Sequence, residues 1–132
     1  MFRKIQLQII STTLAGFGLL LLGTSFSSAS KAQDNNNRKA LFEKRCGGCH
    51  AVDRDKEGPR LAGVYGRPAG AVDSFQYSDA LKKSRIVWSD ATLDSWLTDT
   101  EKVVPNNDMT FHVEQADERR EIIAYLKQIS GK

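Results

Sequence analysis

The chain is 132 residues long, room for one domain and not two. Its formal charge of +3 comes from 19 basic and 16 acidic residues, but Arg3, Lys4 and Lys31 lie in the first 32 residues and no acid precedes Asp34, so the remainder carries 16 of each. The basic residues of that remainder are interleaved with acids rather than clustered, which excludes a nucleic-acid-binding footprint.

Residues 1–32 have the three-part layout of a secretory signal. Met1-Phe2-Arg3-Lys4 is a short positive start, the apolar run is strongest from Leu14 to Leu22, and small residues follow to Ser30-Lys31-Ala32. An uncleaved membrane anchor is the alternative. Its apolar core would have to include Gln6 and Gln8 to approach the ~20 residues that span a bilayer. Cleavage after Ala32 is therefore expected, with Ala29 as the other candidate cut. Gln33–Asn37 is a short polar tail, and residues 38–132 form the domain.

Within the domain, Leu41, Phe42 and Cys46 make a helix-like stripe. Residues 58–70 hold four glycines and two prolines in thirteen residues and read as loop. Ile86-Val87-Trp88 is a brief strand-like ambiguity. Ser89 or Asp90 can cap a helix whose apolar face is Leu93, Trp96 and Leu97. Residues 98–110 read as a loop broken by Pro105. From about Gln115, Ile122, Tyr125, Leu126 and Ile129 share one face of a last helix ending near Gly131. The expected class is all-α.

The chemistry lies in Cys46-Gly47-Gly48-Cys49-His50. A Cys-x-x-Cys-His run is the attachment signature of c-type haem. Two thiols at this separation reach two vinyl groups on one porphyrin and form thioethers, and the next residue, His50, is held beneath the iron. The competing readings are weaker. A thioredoxin-like redox pair needs a βαβ context, and structural zinc usually needs four ligands, whereas these are the two cysteines of the chain. An electron-carrying haem iron needs a second axial ligand. Beyond Met1, the candidates are Met109 and His112. A lone Met is more often a gap-filler in a core, but Met109 sits in a polar loop after Pro105-Asn106-Asn107-Asp108, which favours it as the ligand.

The string Cys46–His50, together with four others, resembles the class I cytochromes c of mitochondrial and related bacterial type. Gly58-Pro59-Arg60-Leu61-Ala62-Gly63-Val64-Tyr65-Gly66-Arg67, Phe75-Gln76-Tyr77-Ser78-Asp79-Ala80 with Trp88, Pro105 to Phe111, and Ile122 to Leu126 follow the family's motifs in order. The resemblance implies that the Pro59 carbonyl accepts a hydrogen bond from His50. It also implies that Arg67, Tyr77 and Trp88 hold the haem propionates, that Trp96 lies beside Met109, and that Phe42 and Tyr125 pack where the first and last helices cross. Four departures stand out. Arg38 replaces a Gly at the crossing, which predicts a looser or shifted crossing. Leu81 replaces an Asn near the haem. Trp96 lacks the hydroxyl of the usual Tyr, and Asn106-Asn107 replaces Gly-Thr. The last two predict a ligand loop that opens at modest cost, with Lys102 or His112 competing for iron as pH rises.

The sequence thus predicts a soluble one-electron carrier cycling Fe(III) and Fe(II), with one covalent haem c and iron held by His50 and Met109. It is not expected to be an enzyme. A haem subunit or anchored domain of an exported oxidoreductase, or a peroxidase with Met109 displaced, are the alternatives. Expected partners are redox proteins, with peripheral docking to membrane redox complexes and no nucleic acid. The expected state is a monomer in the bacterial periplasm. Arg45 and Lys102 keep positive charge near the haem edge, while Glu101 and Asp108 sit where the family commonly has lysines, so a mixed-charge docking face is expected.

Overall fold

The structure is a computed structural model, and it describes residues 26–132. Residues 1–25, where most of the expected leader falls, lie outside the described part. Five helices follow in order: α1 (Phe26–Arg45), α2 (Asp79–Lys83), α3 (Asp90–Thr98), α4 (Thr100–Val103) and α5 (Ala116–Gln128). Among the described residues, β pairing is confined to an isolated bridge between Pro68 and Val87, and no helix is long and apolar enough to cross a membrane.

The frame is the crossing of α1 and α5. Phe42 and Tyr125 meet there with ring centroids 5.0 Å apart and planes tilted by 39°, over the fully buried Ile122. Arg38 does not wedge the crossing open. Its guanidinium swings outward to Glu121 at 2.7 Å, and Arg45 pairs with Glu118 at 2.5 Å at the other end. Part-exposed pairs of this kind contribute at most about 1 kcal/mol each. Losing a buried aromatic such as Phe42 costs about 3–5 kcal/mol, so packing decides the crossing. The helix begins earlier than the stripe at Leu41 suggests. Gln33–Asn37, expected as a tail, continues α1 as a largely exposed stretch.

α3 starts where the sequence places it. Ser89 accepts from the Thr92 amide and Thr92 Oγ1 accepts from the Ser89 amide, a reciprocal capping box. Leu93, Trp96 and Leu97 face inward. The segment read as a loop from Thr98 contains α4, started by Asp99, whose carboxylate accepts from the Lys102 amide at 3.1 Å.

Between α1 and α2 the backbone is irregular for more than thirty residues. Structureless stretches of that length are uncommon in compact domains and usually carry a site. Here Leu61 and Ala62 donate to the carbonyls of Ala51 and Val52, while Gly66 and Ala69 pair with Trp88 and Ile86. The strand-like hint at residues 86–88 is this short pairing. The loop and the helices together line an open cavity of about 410 Å³.

Candidate cofactor site

The last turn of α1 carries the chain into the site. The Cys46 amide donates to the Phe42 carbonyl at 2.7 Å, and the His50 amide donates back to Cys46 at 2.8 Å. This tight turn brings Cys46, Cys49 and His50 to the cavity wall. Gly47 is required by the turn, because a Cβ there would lie 2.5 Å from the Glu43 carbonyl oxygen. Gly48 meets nothing, so its smallness is not demanded by the protein.

His50 is fixed from two sides. Its Nδ1 lies 2.8 Å from the Pro59 carbonyl. A carbonyl only accepts, so Nδ1 carries the hydrogen and Nε2 keeps its lone pair. Burial outweighs that hydrogen bond and lowers the pKa of His50, which favours the neutral ring. Gly58, not singled out from the sequence, supports the ring. A Cβ at this position would fall 2.3 Å from His50 Cε1. Its signal is the Gly58-Pro59 pair, which reads as loop punctuation and as the start of a family motif without a role for the glycine itself.

The polar rim is built by the irregular loop and the end of α2. The Arg67 guanidinium donates to the carbonyls of Ala62 at 2.9 Å and Arg60 at 3.1 Å, which holds it at the cavity wall. Tyr77 and Trp88 line the same cavity and are buried. Burial pushes the Tyr77 hydroxyl's pKa up, so it stays a donor. Leu81 also lines the cavity, adding apolar surface where the family has an amide.

Met109 lines the cavity from the loop after α4, and that loop is not loose. The Trp96 indole Nε1 donates to Met109 Sδ at 3.3 Å. Loss of a tyrosine hydroxyl therefore does not leave the sulfur without a donor, because the indole N–H reaches it. The Met109 amide donates to Asn107 Oδ1 at 2.8 Å, and its carbonyl accepts from Thr100 Oγ1 at 2.5 Å. Asn106 takes the left-handed conformation, φ 63°, and its amide is held by the Glu101 carboxylate. His112 points away. Its side chain is 63% exposed and lies 3.9 Å from Glu114.

A sequence model of the family described as cytochrome c matches residues 37–130. The chain belongs to the cytochrome c family. It is 40% identical to cytochrome c of Theileria parva over 103 residues, covering 75% of this chain and 89% of that protein. It is likewise 40% identical to cytochrome c of Euglena viridis over 99 residues, covering 73% and 97%. Among solved structures, cytochrome cH from Methylobacterium extorquens matches with a TM-score of 0.67 and 39% identity, covering 72% of this chain and 98% of that one. As a cytochrome c, the protein is a haem-based electron carrier whose covalent c-type haem contains iron, with Cys46 and Cys49 in the attachment motif.

The residues fit that group. Leu61, Leu93, Leu97, Ile122 and Leu126 supply apolar walls, and all nine site residues expected from the sequence line this cavity. The cavity of about 410 Å³ presents apolar side chains that a bound group of that size would cover. The occupant is thus part of the cytochrome c core. The competing thiol–disulfide and zinc readings lose ground. Burial, and then the neighbouring Cys49, push the Cys46 thiol up to about 11 against the pull of Arg45, the reverse of an activated redox cysteine. Among the described residues no cluster of three or more His, Cys, Asp or Glu could hold a metal ion.

Proposed function

We propose that haem is joined through Cys46 and Cys49, that His50 Nε2 and Met109 Sδ are the two protein ligands to its iron, and that the protein shuttles single electrons between redox proteins outside the cytoplasm. The carrying observation is the convergence of a neutral, Pro59-oriented His50 and the Met109 sulfur on one apolar cavity beside both thiols. Haem iron supplies a one-electron Fe(III)/Fe(II) couple. The chain's part is electrostatic and positional. Pro59 fixes the imidazole and strengthens it as a donor. Arg67, Tyr77 and Trp88 offer donors to the acid groups of the cofactor. The leucine-rich walls exclude water, which disfavours the more highly charged oxidised state and raises the potential.

The leader supports export and cleavage after Ala32, and the bacterial periplasm is the proposed compartment. The protein is proposed to act as a monomer that docks peripherally to membrane redox complexes, without enzymatic turnover. The indole and backbone bonds on Met109 favour this over a peroxidase, which needs an iron position free to bind peroxide. Purified protein titrated potentiometrically should follow a one-electron Nernst curve and keep its haem on acid–acetone extraction. Met109→Ala should abolish the weak long-wavelength sulfur-to-iron band of the oxidised form. An extractable haem would overturn the attachment sites, and an unchanged band in Met109→Ala would overturn that ligand.

A further inference from the structure

Two buried residues of the described chain have polar, non-aromatic side chains, Thr100 at 5% exposure and Asn107 at 9%. Both spend their hydrogen bonds on the peptide groups of one residue. Thr100 Oγ1 donates to the Met109 carbonyl at 2.5 Å, and Asn107 Oδ1 accepts from the Met109 amide at 2.8 Å. Asn107 also donates through Nδ2 to the Val104 carbonyl at 2.9 Å. Burying a hydroxyl or an amide is costly unless it is bonded, and these two are bonded where they fix the backbone under the sulfur.

The supports of the latch are themselves anchored. Thr100 opens α4, which Asp99 caps, and the Val104 amide returns to the Thr100 carbonyl at 2.9 Å. Asn107 therefore ties Met109 to the end of α4, and Thr100 ties it to the start. The left-handed Asn106 between them is held by Glu101 from the same helix. Further along, the Val113 amide donates to the Leu97 carbonyl at 2.7 Å. The segment from Val104 to Val113 is pinned at both ends and at Met109 itself.

We propose that Thr100 and Asn107 form a polar latch that sets how often Met109 leaves the iron, and so how readily an external ligand enters. They are positioning residues, acting through Met109, and the proposal rests on Met109 being the ligand. When Met109 swings out, its amide and carbonyl leave Asn107 and Thr100, and two buried polar groups lose their partners at once. That cost is what keeps the closed loop dominant. The valine variant of Thr100 keeps the shape and removes the donor, so the closed state loses a bond while the open state loses nothing.

The test uses oxidised holoprotein mixed with imidazole, a small competing donor, in a stopped-flow instrument. At high imidazole the observed rate levels off at the rate of loop opening. Thr100→Val should raise that plateau about tenfold, the equivalent of about 1.4 kcal/mol, while the sulfur-to-iron band persists before mixing. Thr100→Ser, which keeps the hydroxyl, should stay within about twofold of the wild type. A purely structural role would instead move the melting temperature of both variants and leave the plateau alone. Asn107→Ala examines the second bond and decides the matter if Thr100→Val fails to mature. Plateaus unchanged in Thr100→Val and Asn107→Ala, with the band intact and lost only in Met109→Ala, would overturn the latch and leave the ligand standing. A band that survives Met109→Ala would overturn both.

Discussion

At the scale of single residues, the contacts around the proposed iron ligands carry the sharpest expectations. The Trp96 N–H draws charge from the Met109 sulfur at 3.3 Å. A sulfur so engaged is a poorer donor, and Fe(III) needs that donation more than Fe(II). Trp96→Phe should therefore lower the midpoint potential, by up to about 40 mV if a bond of about 1 kcal/mol acts on one oxidation state alone. Voltammetry of the two proteins side by side would show it, and a rise would mean the sign is wrong. Gly58→Ala tests the other side of the haem. A Cβ 2.3 Å from the imidazole carbon cannot be accommodated without moving the ring off the Pro59 carbonyl. The yield of haem-loaded Gly58→Ala should fall severalfold against wild type in the same expression. The sequence made Cys46, Cys49, His50 and Met109 legible because their chemistry is rare and their number small. Trp96 was misjudged because a missing hydroxyl was counted and an indole N–H was not. Asn107 reads in the sequence as loosening the ligand loop, whereas folded it bonds the Met109 amide and the Val104 carbonyl; Thr100 leaves no mark, since its role exists only once the chain is folded around it.

At the scale of elements, legibility followed length. α1, α3 and α5 each run two turns or more and show their apolar stripe, and α3 adds a capping box. α2 and α4 have five and four residues, too few for a 3.6-residue period to repeat. The irregular loop shows its glycines and its family motif in the sequence but not the strap that holds it. Asp55 accepts from the Ser74 hydroxyl at 2.6 Å and from the Arg60 amide at 2.8 Å, and Arg60 reaches Ser74 at 2.6 Å. The Ser74 bond first, then the Arg60 amide, hold the Asp55 carboxyl below its ordinary value. A lowered carboxyl pKa stabilises the fold above the unfolded value of about 3.9, and that gain is lost as pH falls through the lower folded value. Asp55→Asn should thus melt earlier than wild type at pH 7. The gap should stay constant down to about pH 5 and close below about pH 4 as the native carboxyl is protonated. Melting curves across that range would settle it, and a gap that widened in acid would contradict the strap.

At the scale of the whole molecule, much of the exposed charge around the cavity is balanced locally. Arg45 is matched by Glu118 at 2.5 Å, Lys102 by Asp99 at 3.1 Å, and Glu101 is engaged with the Asn106 amide. Glu57 and Asp108 add acid to the cavity rim. Lys56, whose ammonium donates to the Gly47 carbonyl, keeps positive charge beside the attachment motif, but with these acids around it the face stays of mixed sign and steers an acidic partner weakly. The transfer rate to such a partner should change by less than about threefold between low and high salt, because screening has little long-range attraction to remove. A steep decline would mean that the lysines elsewhere act together. The core has a further consequence, for the order of assembly. In the folded chain the Cys46 thiol, half-buried at the cavity wall, is pushed up to about 11 by its burial and by Cys49. A thiol so raised is a weak nucleophile toward a vinyl group. Thioether formation is therefore expected to run most readily before α5 closes over α1. Made in that order, the covalent bonds form on an open strand and the helices shut behind them, so that folding completes the site around a group already attached.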